Sequence, residues 1–180
     1  MRYAIFLRGV NVGGVTLRMA EVRRVLGELP VEHVATLLAS GNVVCSADLD
    51  APDLKARVET ALRSAFGYDA WVVVLTADRL AQVVDACPYP ADSPTEHTYL
   101  TVASDPAVLD EVRAAVTALD PDARHTRLGP EAAAWVSPVG GTLTSSWASV
   151  SGKPRYKPAL TERNLRTMHK VAAALRAMPG

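Results

Sequence analysis

Apolar positions along the chain follow two rhythms, one of strands and one of helices. Tyr3 to Leu7 is an unbroken apolar run, the pattern of a strand buried on both faces. It ends in Arg8-Gly9-Val10-Asn11-Val12-Gly13-Gly14, whose glycines predict a loop. Met19, Val22, Val25, Leu26 and Leu29 then repeat at three and four, one buried face of a helix over about 17–29 with Thr16 as its cap. Residues 34–38 and 43–46 read as two strands joined by a turn at Ala39-Ser40-Gly41-Asn42. Asp50, Pro52 and Asp53 signal a helix start, Leu54, Val58 and Leu62 its apolar side, and Gly67 a left-handed stop. Residues 70–75 read as a strand and 78–84 as a short helix.

This half therefore reads β-α-β-β-α-β, the ferredoxin-like order. Pro88, Pro90 and Pro94 mark a linker over 89–96, giving an N-terminal subdomain over 1–88 and a C-terminal one over 97–180. The second half opens with a strand at 99–103 and a helix begun by Asp105-Pro106, with Val108, Leu109, Val112, Val116 and Leu119 as its stripe. A hairpin at 124–128 and 132–136 turns on Gly129-Pro130. The Gly-, Ser- and Thr-rich stretch 138–158 holds at most a strand near 142–150. Thr161 caps a final helix on which Arg163, Thr167 and Lys170 share a face. The second half thus reads as a related β-α-β-β-α arrangement. The expected fold class is α+β, two packed α/β subdomains.

Composition fits a packed core: 49% of residues are apolar and 21% charged, with zero formal net charge. Zero net charge removes any global electrostatic argument for nucleic acid or membrane. The distribution is uneven, however. Residues 1–30 carry five basic and two acidic side chains, residues 31–149 seven and sixteen, and residues 150–180 seven and one. Basic ends flank an acidic middle, either to dock on it or to share a positive anion site. No apolar run approaches ~18 residues, so no membrane partner is expected. With no signal-like segment ahead of the first strand, a cytoplasmic location is expected. Cys45, in the apolar run from Val43, reads as a core residue.

The common chemical motifs fail. Gly9-x-x-x-Gly13-Gly14 has the wrong spacing for a dinucleotide fingerprint, and a hairpin follows where a parallel strand is needed. Ser151-Gly152-Lys153-Pro154 lacks the earlier glycine and the Ser/Thr of a phosphate loop. His33, His97, His125 and His169 are scattered, so no metal is expected. No GxSxG is present. Base stacking on the sheet is disfavoured too, because Asn42-Val43-Val44-Cys45 carries no aromatic. No cofactor is expected, and the sequence assigns no reaction.

One constellation remains. In a ferredoxin-like order the end of the first strand meets the start of the third. Arg8, Gly9, Asn11, Gly13 and Gly14 would then face Ser40, Gly41 and Asn42 on one rim, with a helix N-terminus beside them. Arg8 supplies a planar two-pronged donor for carboxylate or phosphate. The competing reading is structural: Asn11 and Asn42 satisfy turn backbone and Arg8 bridges the loops. A second polar cluster is Arg163, Asn164 and Thr167, which would close the site if the last helix packs nearby. Its structural reading is a capped, solvated helix face.

At these residues the chain resembles the bacterial domain-of-unknown-function family 1697. The resemblance rests on Leu7-Arg8-Gly9-Val10-Asn11-Val12-Gly13-Gly14 followed by Met19, on Ser40-Gly41-Asn42-Val43-Val44, and on Thr161-x-Arg163-Asn164-x-x-Thr167. It departs at Leu165, where the family usually has a tryptophan that would stack. The resemblance implies an α+β fold with a ferredoxin-like first half and supplies no activity, substrate or catalytic residue.

The expectation is therefore a binding module for a small anionic or nucleotide-like ligand at the rim. An enzyme on the same rim is the second reading, short of a base for Ser40 or Thr167. The third is an interaction protein or nucleic-acid adaptor using the basic stretch from Lys153 to Lys170.

Overall fold

Strand β1 (Arg2–Arg8) is central because both of its faces are apolar: Tyr3, Ile5 and Leu7 on one, Ala4 and Phe6 on the other, all buried. The computed structural model describes residues 1–8, 17–67 and 69–179. It clusters into two compact units, residues 1–81 with 170–180 and residues 82–169. Each holds one four-stranded antiparallel sheet.

In the first unit β1 is flanked by β3 (Asn42–Ala47) and β4 (Trp71–Thr76), with β2 (Val31–Leu37) outside β3, in the order β2-β3-β1-β4. Helices α1 (Met19–Leu26) and α2 (Ala51–Phe66) cover one face. There Tyr3, Ile5, Leu7, Val43, Cys45 and Val72 pack with Val22, Val25, Leu54, Val58 and Leu62. Full burial of each large aliphatic contributes roughly 1.5–3 kcal/mol. Helix α2 begins as its sequence indicates: the Asp50 carboxylate accepts the Asp53 N–H at 2.8 Å. It stops at Gly67, whose φ of 68° suits glycine. The Glu59 carboxylate accepts the Val72 N–H at 2.9 Å, tying α2 to the edge strand β4. The N-cap of α1 is Arg18, in extended backbone with no side-chain cap, so the helix starts later than the apolar spacing suggests. Thr16, expected as its cap, lies outside the described residues. A further helix, α3 (Ala77–Asp85), follows β4.

The second unit repeats the plan. Its strands are β5 (Glu96–Ala103), β6 (His125–Gly129), β7 (Ala132–Pro138) and β8 (Leu160–Asn164), ordered β6-β7-β5-β8. Helix α4 (Pro106–Leu119) follows β5, capped by Asp105, which accepts the Ala107 N–H at 2.9 Å.

Two expectations fail here. The stretch near 142–150 is no strand: it is a 3-10 turn and the short helix α5 (Ser146–Ser151). Ser145 caps α5 through the Ala148 N–H, and Trp147, Val150 and Ser151 bury the helical spacing of three and four. The second correction concerns Thr161, which does not cap a helix. It lies in β8, which pairs antiparallel with β5 from Tyr99↔Asn164 to Ala103↔Leu160. The last helix, α6 (Leu165–Ala177), starts after Asn164, whose side-chain oxygen accepts the Arg166 N–H at 2.9 Å. Both Thr and Asn suit a cap; the need of β5 for a second partner takes 160–164 into the sheet.

Behind this sheet three rings stack, Tyr99 on Trp135 at 4.6 Å and Trp135 on Trp147 at 5.7 Å between centroids. Both indole N–H groups converge on the Thr101 hydroxyl, Trp135 at 3.1 Å and Trp147 at 2.9 Å. An oxygen accepting two N–H bonds directs its own proton outward, and here that proton goes to Glu162 Oε1 at 3.4 Å. Trp147 Nε1 also reaches Glu162 Oε1, at 3.1 Å.

Candidate functional site

Antiparallel pairing of the two central strands, β1 and β3, sets one rim of the first sheet. Phe6 pairs with Asn42, and beyond that pair the Leu7 N–H donates to the Gly41 carbonyl at 2.8 Å. Arg8, one residue further, pairs with Trp71 on β4. Side chains two apart on a strand share a face. Arg8 therefore lies on the side of Phe6 and Asn42, away from α1 and α2.

The turn before β3 is built by Asn42 itself, which is the first strand residue rather than the last of the turn. Asn42 is fully buried, and its Nδ2 donates to the Leu37 carbonyl at 3.0 Å and to Ser40 Oγ at 2.9 Å. Both amide protons are spent inside the turn. The backbone is left-handed at Leu38 (φ 59°) and Gly41 (φ 72°). At Gly41 this costs nothing; at Leu38 a side chain bears a conformation disfavoured by roughly 1–2 kcal/mol. The Asn42 bonds brace that turn. Ser40 is exposed, and because its oxygen accepts from Asn42, its own O–H remains a donor toward solvent. Its recorded partner is an amide, not a carboxylate or histidine.

Gly9, Asn11, Gly13 and Gly14 lie outside the described residues, as do the rest of 9–16. Arg163, Asn164 and Thr167 belong to the second unit. Arg163 sits in β8, not on the helix, so it shares no helical face with Thr167 and Lys170. Its guanidinium donates to Thr161 Oγ1 at 2.8 Å and to the Glu162 carbonyl at 2.7 Å. Asn164 is the cap of α6, and Thr167 is half-buried in its first turn. Within the basic segment Arg155 pairs with Glu111 at 2.8 Å and Arg166 with Asp92 at 3.1 Å. Burial pushes the Cys45 thiol up to about 11, which makes it an inert core group, as its apolar neighbours indicate.

Sequence reasoning passed over a cavity in the second unit, lined by Glu96, Asp120, Asp122, Arg124, Ser137 and Trp147 among others. Its only trace in the sequence is the excess of acidic side chains between residues 31 and 149.

Two sheets of the same strand order, each with the βαββαβ succession, define an α+β protein of paired ferredoxin-like modules. The family model described as a protein of unknown function, DUF1697, matches residues 1–132, and the chain belongs to that family. The Thr161–Thr167 stretch lies beyond the matched residues. The chain is also similar to a conserved bacterial protein of known structure from Streptococcus pneumoniae. The two share 22% identity and a TM-score of 0.76, over 97% of this chain and 98% of that one. At that identity the likeness speaks for the fold. No curated protein matches the chain.

Proposed function

We propose that the protein is a binding module for a small anionic or nucleotide-like ligand, held on the rim where β1 ends and the β2–β3 turn begins. The observation that carries this reading is the Leu7 N–H to Gly41 carbonyl bond of 2.8 Å, which joins the strand end bearing Arg8 to the turn bearing Ser40. Two donors of different kind then belong to one rim. Arg8 supplies a permanent positive charge and a two-pronged geometry that suits carboxylate or phosphate. Ser40 supplies a neutral O–H, pre-aimed because Asn42 occupies its oxygen. Asn42 acts as a brace for the turn rather than as a ligand contact. In this reading the loop of Gly9, Asn11, Gly13 and Gly14 brings backbone N–H groups to the same anion.

Calorimetric titration of the whole chain with inorganic phosphate, AMP, ATP and citrate tests the reading. Saturable binding by at least one anion is expected, weakened about tenfold or more in Arg8→Ala, the usual cost of a charge-assisted pair. Ser40→Ala is expected to weaken it less, by about threefold to tenfold, as for one neutral hydrogen bond. Absence of binding by every anion, or full affinity in Arg8→Ala, refutes the assignment.

A further inference from the structure

The edge of a sheet is a row of unpaired backbone groups, and folded chains guard it with charges, bulges or brevity. The two sheets have four edges, β2, β4, β6 and β8. Edge β2 carries Glu32 and His33, and its register slips between Glu32 and Ala35, where His33 takes a left-handed φ of 55°. Edge β6 carries Arg127 and slips before Gly129. Edge β8 is five residues long and carries Glu162 and Arg163. Edge β4 has none of these guards in its own sequence. It reads Trp71-Val72-Val73-Val74-Leu75-Thr76, with no charge, proline or glycine. It pairs with β1 without a slip from Tyr3↔Thr76 to Arg8↔Trp71.

Antiparallel pairing decides which groups of β4 face outward, because the N–H and carbonyl of one residue point to the same side and the side alternates along the strand. The Leu7 N–H turns to β3, where it donates to the Gly41 carbonyl at 2.8 Å. Val72, opposite Leu7, therefore turns away from β1, and its N–H donates outward to the Glu59 carboxylate at 2.9 Å. Lys55 holds that carboxylate in turn. Val74 and Thr76 share the outward direction of Val72. Thr76 also caps α3, its Oγ1 accepting the Arg79 N–H at 3.2 Å, and a cap carbonyl takes the first helical bond. Four outward groups remain: the Val72 carbonyl, the Val74 N–H and carbonyl, and the Thr76 N–H. No hydrogen bond to any of them is made among the described residues.

These two donors and two acceptors fit a copy of themselves. A second β4 laid antiparallel, with Val74 opposite Val74, exchanges both bonds of the Val74 pair. At each end a Thr76 N–H then meets a Val72 carbonyl. The groups this register leaves facing each other are the Val72 N–H and the Thr76 carbonyl, which α2 and α3 already satisfy. A two-fold contact needs one patch that is its own complement, a condition that a foreign strand would not impose. Val73 opposite Leu75 keeps the seam aliphatic.

We propose that β4 is a strand-addition surface whose occupant is β4 of a second copy of this chain, joining two four-stranded sheets into one across a two-fold axis. The pairing is independent of the anion rim. Sedimentation equilibrium of the full chain from about 1 to about 500 µM reads the mass. A concentration-dependent rise from the mass of one chain to that of two is expected. Val74→Pro removes an N–H that the single chain does not use, and proline is tolerated on an edge whose N–H faces solvent. It is expected to raise the dimer Kd about tenfold or more, through two lost hydrogen bonds. Amide hydrogen exchange on the unmutated chain needs no variant and decides the matter should the proline protein not fold. The Val74 and Thr76 amides are expected to slow about threefold or more from the lowest to the highest concentration. Val72, bonded to Glu59, and Val73, bonded to β1, stay protected throughout. A single chain at every concentration, a dimer untouched by Val74→Pro, or Val74 and Thr76 amides indifferent to concentration overturns the pairing. Slowing of those amides only on adding a foreign extended peptide gives the edge to another partner and overturns it equally.

Discussion

Thr101→Val isolates the hydroxyl on which two indoles converge. Valine has nearly the shape of threonine, and Thr101 is fully buried, so the change opens no cavity and leaves a purely polar cost. Trp135 Nε1 loses its acceptor at 3.1 Å. A buried donor left without a partner costs about 1–3 kcal/mol. Trp147 Nε1 keeps Glu162 Oε1 at 3.1 Å, so its loss is partial. The total expected is about 2–3 kcal/mol, within that range for one full orphan plus a weakened bond. Urea denaturation followed by far-UV circular dichroism reads it, with Thr101→Ser retaining most of the stability. Trp135→Phe supplies the cycle. In the valine background the orphaned N–H is gone, so the pair is expected to couple by about 1–2 kcal/mol. A Thr101→Val protein within about 0.5 kcal/mol of wild type, or a coupling of zero, would refute the convergence of the two indoles on one oxygen.

Two further outcomes are expected. Asn164→Ala removes the acceptor for the Arg166 N–H at 2.9 Å and should lower stability by about 1 kcal/mol, with Asn164→Asp near wild type in the same denaturation assay; no difference between Ala and Asp would dismiss the cap. His125, held below its ordinary 6.5 by burial first and by Arg113 second, binds fewer protons folded than unfolded just below that pH, so its contribution is present above about 6.5 and lost as pH falls through the folded value. His125→Phe, which keeps a ring beside Trp147, should therefore lose less stability than wild type between about pH 7 and pH 5; parallel pH profiles would show that the imidazole is not desolvated.

The first sheet was legible in the sequence because each element carries its own signal. Tyr3–Leu7 has no polar interruption, Asp50 and Gly67 bracket α2, and Val22, Val25 and Leu26 keep one periodic face. Strand β8 has no such signal. Leu-Thr-Glu-Arg-Asn shows neither an apolar run nor strict alternation, and its two cap-type residues argue for a helix; it is a strand because β5 needs a neighbour. The same logic governs the rim. Adjacency of Arg8 to the Ser40 turn follows from strand order, which sequence patterns fix. The role of Asn42 follows from hydrogen-bond directions inside a tight turn, which they do not. The cavity beside Trp147 was out of reach because its lining comes from the hairpin and α5, and the Gly-, Ser- and Thr-rich stretch that forms α5 predicts at most a strand.

The composition of the first unit has a consequence for biogenesis. Its first strand is fastened to the far end of the chain, Arg2 donating to the Leu175 carbonyl at 3.0 Å, and residues 170–180 count among its own. These residues are translated only after the whole of 82–169. The tie from Arg2 to Leu175 therefore closes only after residues 82–169 have been synthesised, later than the β-α-β-β-α-β stretch of the first unit itself.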